Sequence, residues 1–181
     1  GVGVARYTRW MSTETNNHET PDADGTAAAT TESEWYAEGL RFECTQCGNC
    51  CTGAPGYVWF DEAEGRAMAE FVGVDEREFY QRYTKRKMGK WTLDEVKVQR
   101  NKYDCVFLER DANGRGKCSI YEVRPTQCRT WPFWASNLAS PRQWAEAAAG
   151  CPGMKLPDQS TGTFVPIEKL RIELAKNPDG L

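Results

Sequence analysis

The stretch Cys44-Thr45-Gln46-Cys47-Gly48-Asn49-Cys50-Cys51 places four cysteines within eight residues. A buried free cysteine can serve as a small apolar core residue, but core packing does not explain four cysteines within eight residues. Cysteine thiolates bind soft or borderline metals, and the C-x-x-C spacing lets two sulfurs converge on one centre. We therefore interpret Cys44–Cys51, called the cysteine loop below, as half of a metal site whose other ligands lie later in the chain.

Length and charge limit the possible partners. The chain has 181 residues and a formal net charge of −3 at pH 7. This length fits one domain with tails, and the slightly acidic balance gives no general attraction to nucleic acid or to a membrane surface. No stretch approaches the roughly 18–20 apolar residues that a membrane span needs. We therefore expect neither nucleic acid nor a membrane as a partner.

Eight cysteines serve either disulfides or metal binding, and the cellular compartment decides between the two. The segment Gly1–Trp10 contains no apolar stretch like that of a signal peptide, which favours a cytoplasmic location. The adjacent Cys50 and Cys51 also fit a disulfide framework awkwardly, so we favour metal or cluster binding. The single histidine, His18, lies in a polar tail, so the ligands in the folded part must be cysteines, with or without a carboxylate.

Composition divides the chain into three segments. Residues 1–34 are rich in Thr, Ala, Glu, Asn and Asp and show no hydrophobic period, so we predict a disordered leader. Residues 35–157 form the predicted cysteine-cluster metal-binding domain. Residues 158–181 form a predicted C-terminal extension, whose short helix over 166–174 is expected to pack on the outside.

Helical periodicity predicts two consecutive helices after the cysteine loop. Asp61 is a typical N-cap for a helix over 62–72 that Gly73 ends, and a second helix is predicted over 75–84. We interpret the basic run Lys85–Lys90 as the solvated end of the second helix rather than as a phosphate-binding site.

A β-hairpin is predicted around Asn113-Gly114, since both residues tolerate positive φ. Its predicted arms, 105–110 and 117–121, would place Cys105 and Cys118 on the two sides of one hairpin. Cys128 lies in a segment broken by prolines, and Cys151 follows a predicted helix over 141–149. The predicted fold class is α+β, a small metal-organised domain with a helix–loop–helix, a short β-hairpin and irregular cysteine-bearing loops.

The cysteines suffice for two four-sulfur sites or for one larger shared cluster. The candidate metal ligands are Cys44, Cys47, Cys50, Cys51, Cys105, Cys118, Cys128 and Cys151. Because neighbouring side chains diverge, we expect Cys50 and Cys51 to reach different metals, or different irons of an extended cluster. The C-x-x-C-x-x-C run and the proline after Cys151 favour iron–sulfur clusters, with Zn²⁺ as the alternative. Some of the four later cysteines could also be inert core residues.

Basic and aromatic side chains accompany the later cysteines. Arg124 and Arg129 are candidates for cofactor binding behind the ligands, where a guanidinium would balance thiolate charge. A structural tie to Glu122 or to a backbone carbonyl explains Arg124 equally well. Trp131, Phe133 and Trp134 are expected to form an apolar lid over the metal.

Together these residues resemble the YkgJ-type cysteine-cluster family, whose CxxCxxCC domain is described as zinc- or iron-chelating. The resemblance covers roughly residues 40–155 and implies that the cysteines are metal ligands, with the least local support at Cys151. One relative, flagellin lysine N-methylase, uses a similar cysteine cluster in a methyl-transfer enzyme. The resemblance rests on three motifs: Cys44-x-x-Cys47-x-x-Cys50-Cys51, Asp104-Cys105-Val-Phe-Leu108, and Cys118-Ser-Ile-Tyr121-Glu-x-Arg124-Pro125-x-x-Cys128-Arg129-x-Trp131-Pro132-Phe133.

Two functions from different classes follow. The favoured one is a cysteine-ligated iron–sulfur or iron-binding protein with a redox or cluster-dependent role and an unidentified redox or protein partner. The alternative is a zinc-stabilised structural or binding module. The resemblance adds a SAM-dependent protein methyltransferase-like enzyme as a third hypothesis, and the sequence leaves open whether the protein is catalytic at all.

Overall fold

The computed structural model describes residues 34–177, which belong to one compact unit. Helices and small antiparallel sheets share this region, so the fold class is α+β, as predicted. The helices are α1 (Glu62–Val72), α2 (Glu76–Tyr83), α3 (Thr126–Thr130), α4 (Ala135–Leu138), α5 (Pro141–Gly150) and α6 (Ile167–Lys176). The strands are β1 (Leu40–Arg41), β2 (Thr52–Gly53), β3 (Trp59–Phe60), β4 (Thr84–Lys87), β5 (Lys90–Leu93), β6 (Glu95–Gln99), β7 (Lys102–Cys105), β8 (Leu108–Arg110), β9 (Gly116–Cys118) and β10 (Phe164–Val165). Their sheet orders are β1–β10, β2–β7–β6, β3–β5–β4 and β8–β9.

Local sequence determines the helix–loop–helix, and the prediction for it is confirmed. The Asp61 side chain accepts a hydrogen bond from the Glu64 backbone, while the Glu64 side chain accepts one from the Asp61 backbone. This capping box satisfies two donors that the start of a helix leaves unpaired. Gly73 ends α1 with a φ of 81°, and Asp75 caps α2 by accepting a bond from the Glu78 backbone.

The basic run Lys85–Lys90 forms most of a β-hairpin instead of a helix end. Strand β4 pairs with β5, and Met88 and Gly89 make the turn with φ values of 45° and 76°. The helical interpretation is wrong because β5 offers a strand partner whose Thr92 and Leu93 are buried. The tertiary pairing overrides the local helical pattern.

Cys105 and Cys118 lie in different sheets rather than on the two arms of one hairpin. The turn at Asn113-Gly114 joins β8 to β9, as predicted, and there Cys118 pairs with Leu108. Cys105 ends β7 instead, where it pairs with Glu95 of β6. The predicted arm was too long because the chain turns between β7 and β8.

The hydrophobic core of the described region has two clusters. One surrounds Met68 of α1 and Phe79 of α2, and the other surrounds Trp144 of α5. Leu170 of α6 is fully buried in the second cluster, together with Val165 of β10. Helix α6 thus packs on the core through Leu170, while its Ile172 is 56% exposed.

The two ends of the described region are joined to each other. Strand β1 pairs with β10, and Glu34 forms an ion pair with Arg171 of α6, with Oε2 and Nη2 2.6 Å apart. Apart from Glu34, the predicted leader lies outside the described residues, as does His18. Within residues 34–177, no helix has the length and apolar character needed to cross a membrane.

Candidate metal centre

All eight cysteines line one cavity of about 270 Å³. The rest of the lining includes apolar side chains such as Phe107 and Ile120 and the charged residues Lys117, Glu122 and Arg124. Within residues 34–177, however, no three side chains of His, Cys, Asp or Glu converge as a finished coordination group. The structure thus brings the predicted ligands to one cavity without bringing them to one point.

Backbone contacts hold the start and the middle of the cysteine loop beside Cys151. The Glu43 N–H donates to the Gly153 carbonyl at 3.0 Å. The Asn49 side-chain amide donates to the Gly150 carbonyl at 3.1 Å. Because Gly150 and Gly153 flank Cys151, the loop lies against the segment that carries this cysteine.

A close approach of two glycines places the loop beside Cys118. A Cβ atom on Gly48 would lie 2.8 Å from the Gly116 Cα, so neither backbone has room for a side chain. Gly48 also has a φ of 74°, a conformation that glycine adopts without strain. Gly116 begins β9, the strand that ends at Cys118.

A buried carboxylate joins the end of the loop to the strand of Cys105. Thr52 of β2 pairs with Asp104 of β7, and its hydroxyl donates to Asp104 Oδ1 at 2.5 Å. Arg110 donates to both carboxylate oxygens, at 3.0 and 3.1 Å. Such charge-assisted, bidentate arginine–carboxylate pairs are stronger and more directional than neutral hydrogen bonds. They fix the exit of the loop next to Cys105.

Two polar side chains hold the short helix that carries Cys128. Glu64 Oε1 accepts hydrogen bonds from the backbone N–H and the hydroxyl of Thr126, both at 2.7 Å. Gln127 Oε1 accepts one from the Trp59 backbone at 2.7 Å. Helix α3 is too short to be stable alone, so these contacts with α1 and β3 position the Cys128 side chain.

The sulfurs of Cys50 and Cys51 lie 3.7 Å apart. The expected divergence of these neighbouring side chains is therefore wrong, because the short 3₁₀ turn Asn49–Cys51 brings the two sulfurs to the same side. The hydrogen bond between the thiols lowers the pKa of Cys50 to about 7 and raises the pKa of Cys51.

Burial changes the acidity of three of the later cysteines, Cys105, Cys118 and Cys128. Burial raises the pKa of Cys105 to about 11 and also raises the pKa values of Cys118 and Cys128. The charge of Arg124 opposes this effect at Cys118 and Cys128. Burial of a thiol disfavours its charged form unless a cation or a metal compensates.

The two candidate arginines have different environments. Arg124 lines the cavity, its Cζ lies 3.8 Å from the ring centroid of Tyr121, and its Nε is buried without a hydrogen-bond partner. Arg129 does not line the cavity. Its guanidinium donates to the Arg124 carbonyl at 2.8 Å and lies 3.5 Å from Glu64 Oε1. Only Arg124 is placed to act directly on the cysteines.

The predicted aromatic lid is reduced to Trp131, which lines the cavity. Its indole Nε1 is buried and has no hydrogen-bond partner in the described part of the chain. Phe133 stacks on Trp144 in the core, with ring centroids 6.1 Å apart. Trp134 lines a smaller side pocket of about 140 Å³. Four cysteines line both this side pocket and the large cavity: Cys50, Cys51, Cys105 and Cys128.

Comparison with known proteins shows the family of this chain. Residues 43–152 match the family model described as "CxxCxxCC: Putative zinc- or iron-chelating domain". The chain belongs to this CxxCxxCC family. It is also similar to the uncharacterized protein MJ0661 of Methanocaldococcus jannaschii, with 33% identity over 98 residues, 54% of this chain and 48% of that protein. The chain thus spans about half the length of this relative. No solved structure matches the chain.

Two residues of this CxxCxxCC domain have structural roles that the sequence did not reveal. Asp104 was noted only as part of a motif, although it joins β2 to Arg110. The sequence signal for this role is an acidic residue, Asp104, directly before Cys105, with Arg110 close behind it in the chain. Trp131 was interpreted as apolar, although every indole carries an N–H donor that needs an acceptor when buried.

Proposed function

We propose that this protein holds an iron–sulfur centre through its cysteines and uses it in a redox or cluster-dependent role. The observation that carries the proposal is the single cavity lined by all eight cysteines. A ligand set of cysteine sulfur alone is typical of iron–sulfur clusters and of four-thiolate zinc sites. When bound, such a cluster would supply one-electron transfer.

The size of the cavity supports a centre larger than one ion. At about 30 Å³ for each molecule of liquid water, the 270 Å³ would accommodate about nine water molecules. A single metal ion surrounded by four thiolates fills much less space. The eight cysteines also exceed the four ligands that one tetrahedral ion accepts.

The surroundings of the cavity suit a negatively charged, sulfur-rich group. Thiolates around a metal carry net negative charge, which Arg124 would balance from the cavity wall. Phe107 and Ile120, each at most 4% exposed, would exclude water from the same space. Since no three candidate ligands among residues 34–177 converge beforehand, binding would rotate the cysteine side chains inward. The attachments of the cysteine loop keep its backbone within reach.

One distance favours a second candidate, a zinc-stabilised structural module. Two thiolates bound to one tetrahedral zinc at about 2.3 Å lie about 3.8 Å from each other. The Cys50 and Cys51 sulfurs, 3.7 Å apart, already have this separation. Zinc would then stabilise the fold without taking part in chemistry.

Anaerobic purification separates the two candidates. We expect the full chain to be brown, to absorb broadly in the visible range, and to contain iron and acid-labile sulfide in comparable amounts. The Cys128→Ala variant should lose most of this iron, whereas the Arg142→Ala variant, changed at an exposed surface pair, should retain it. A colourless protein with zinc and no sulfide would contradict the iron–sulfur proposal and support the zinc module.

A further inference from the structure

Trp131 differs from two other tryptophans of the described region in the state of its indole N–H. Trp35 donates to the Leu138 carbonyl at 2.6 Å, and Trp144 donates to the Lys155 carbonyl at 2.8 Å. The Nε1 of Trp131 is shielded from solvent but has no acceptor among residues 34–177.

The only comparable atom in the described region belongs to the same cavity. Arg124 Nε and Trp131 Nε1 are the buried side-chain nitrogen or oxygen atoms of residues 34–177 that have no hydrogen-bond partner. Both residues line the cavity of the eight cysteines. Buried polar groups are nearly always paired in folded proteins, so two unpaired donors on residues that line one cavity indicate a missing acceptor beside it.

The chemistry of the cavity narrows the identity of this acceptor. Its lining is dominated by cysteine sulfur and apolar side chains, and Cys128 lies three residues before Trp131. Both unpaired groups are N–H donors, and Arg124 also carries a positive charge. Donors of this kind suit an anionic acceptor, and sulfur atoms bound to a metal accept N–H hydrogen bonds.

We propose that Trp131 Nε1 and Arg124 Nε donate hydrogen bonds to sulfur atoms of the metal centre and thereby position and retain it. This inference rests on the proposed metal-binding function and adds two specific residues to it. Both are positioning residues, since they act on the ligands of the metal rather than on the metal. Partners of this kind typically change metal affinity by about 10- to 100-fold.

The test compares two tryptophan-to-phenylalanine variants of the full, metal-loaded chain. W131F removes the N–H at the cavity and keeps most of the ring. W35F removes a paired N–H away from the cavity and serves as the control. After addition of excess chelator, we expect W131F to release metal about 10-fold faster than the wild type, with W35F within twofold of it.

A second readout separates hydrogen bonding from a purely structural role. In an iron-loaded protein, N–H donors favour the more negatively charged reduced form. W131F should therefore have a more negative reduction potential at unchanged iron and sulfide content. If W131F fails to fold, Arg124→Lys provides the same test, because it keeps the charge and removes the Nε donor.

The outcomes distinguish this inference from the proposed function. Equal metal release and equal potential in wild type, W131F and W35F would overturn the inference and assign the Trp131 donor to a buried water. Metal-free wild-type protein after anaerobic purification and after reconstitution with iron or zinc would overturn both the function and the inference.

Discussion

The cysteine loop and the later cysteines bring sulfur to one cavity by opposite means. Residues 43–48 have no regular secondary structure, Gln46 and Gly48 have positive φ values of 53° and 74°, and Cys44 and Cys50 are exposed. The later cysteines occupy defined places, at the ends of β7 and β9, within α3 and directly after α5, where Cys151 is buried. Four sulfurs are therefore positioned by the fold, and four by a loop attached to it.

This difference indicates which half of the site needs the metal for its order. The later cysteines belong to elements that pack in the core, so their positions are determined without any ligand. The loop has few buried side chains and is held mainly by backbone contacts beside Cys105, Cys118 and Cys151. Regions with few buried apolar contacts open most easily. Metal binding should therefore order the loop more than the scaffold.

The largest effect should come from removing a cysteine that the fold positions. We expect Cys128→Ala to weaken metal retention by more than the roughly 100-fold that marks the upper range for indirect partners. Cys44→Ala, at an exposed loop position, should weaken it by about 10-fold, because water can replace a ligand there. Metal content after dialysis against a graded chelator measures both. Equal losses would show that the two halves of the site do not differ.

A second effect should come from separating the loop from β9. Gly48→Ala adds a Cβ that would meet the Gly116 Cα at 2.8 Å and also imposes a strained φ. The left-handed conformation costs about 1–2 kcal/mol, and overpacking typically adds about 1–3 kcal/mol. We therefore expect the free energy of unfolding to fall by about 2–5 kcal/mol in urea titrations.

Gly89→Ala is the matched control for Gly48→Ala. Gly89 has a similar φ of 76°, and a Cβ there would meet nothing within 4 Å. It should therefore lose only the conformational part of the effect. Equal destabilisation by the two substitutions would show that the Gly48–Gly116 contact does not hold the loop.

A smaller effect is expected at Asp104, which joins the loop exit to Arg110. Hydrogen bonds from Arg110 hold the pKa of Asp104 below its usual value of 3.8. Its stabilising contribution is therefore complete above the unfolded-state pKa and is lost as the pH falls through the lower folded-state pKa. We expect Asp104→Asn to lower the free energy of unfolding by about 1–3 kcal/mol at pH 7.

The pH dependence provides the check on Asp104. The difference in unfolding free energy between wild type and Asp104→Asn should shrink as the pH is lowered from 5 to 2, because the wild-type carboxylate becomes protonated. A difference that stays constant over this range would assign the effect to packing rather than to charge.

The smallest effect is expected at Arg129, outside the cavity. Its half-exposed guanidinium lies 3.5 Å from Glu64 Oε1, and pairs of this kind contribute about 0–1 kcal/mol. Arg129→Ala should therefore leave metal retention within twofold of the wild type and lower stability only slightly. A loss of metal greater than twofold would contradict the placement of Arg129 outside the cavity.

Sequence patterns predicted the elements whose causes are local. The capping residues Asp61 and Asp75, the glycine after α1 and the turn at Asn113-Gly114 each determine a boundary through adjacent atoms. The spacing of the cysteines also predicted the eight candidate ligands that the structure brings to one cavity. Whether each of them binds metal stays a prediction.

The sequence-based predictions were wrong or incomplete where residues distant in the chain determine the local structure. The run Lys85–Lys90 becomes part of a hairpin because β4 pairs with β5. The side-by-side sulfurs of Cys50 and Cys51 depend on a single turn of 3₁₀ helix that has no sequence signature. The unpaired donor of Trp131 depends on what surrounds it in three dimensions.

The pairing of β1 with β10 has a consequence for the order in which the protein is made. Strand β1 leads into the cysteine loop, but its partner, Phe164–Val165, comes after all eight cysteines in the chain. During synthesis the loop therefore leaves the ribosome long before the strand that holds its entrance. Until Phe164–Val165 are available, β1 has no partner and the entrance of the cysteine loop is not held. We therefore expect metal to be inserted only after residue 165 has left the ribosome. A chain ending at residue 157 would lack this closing strand however complete its cysteines are.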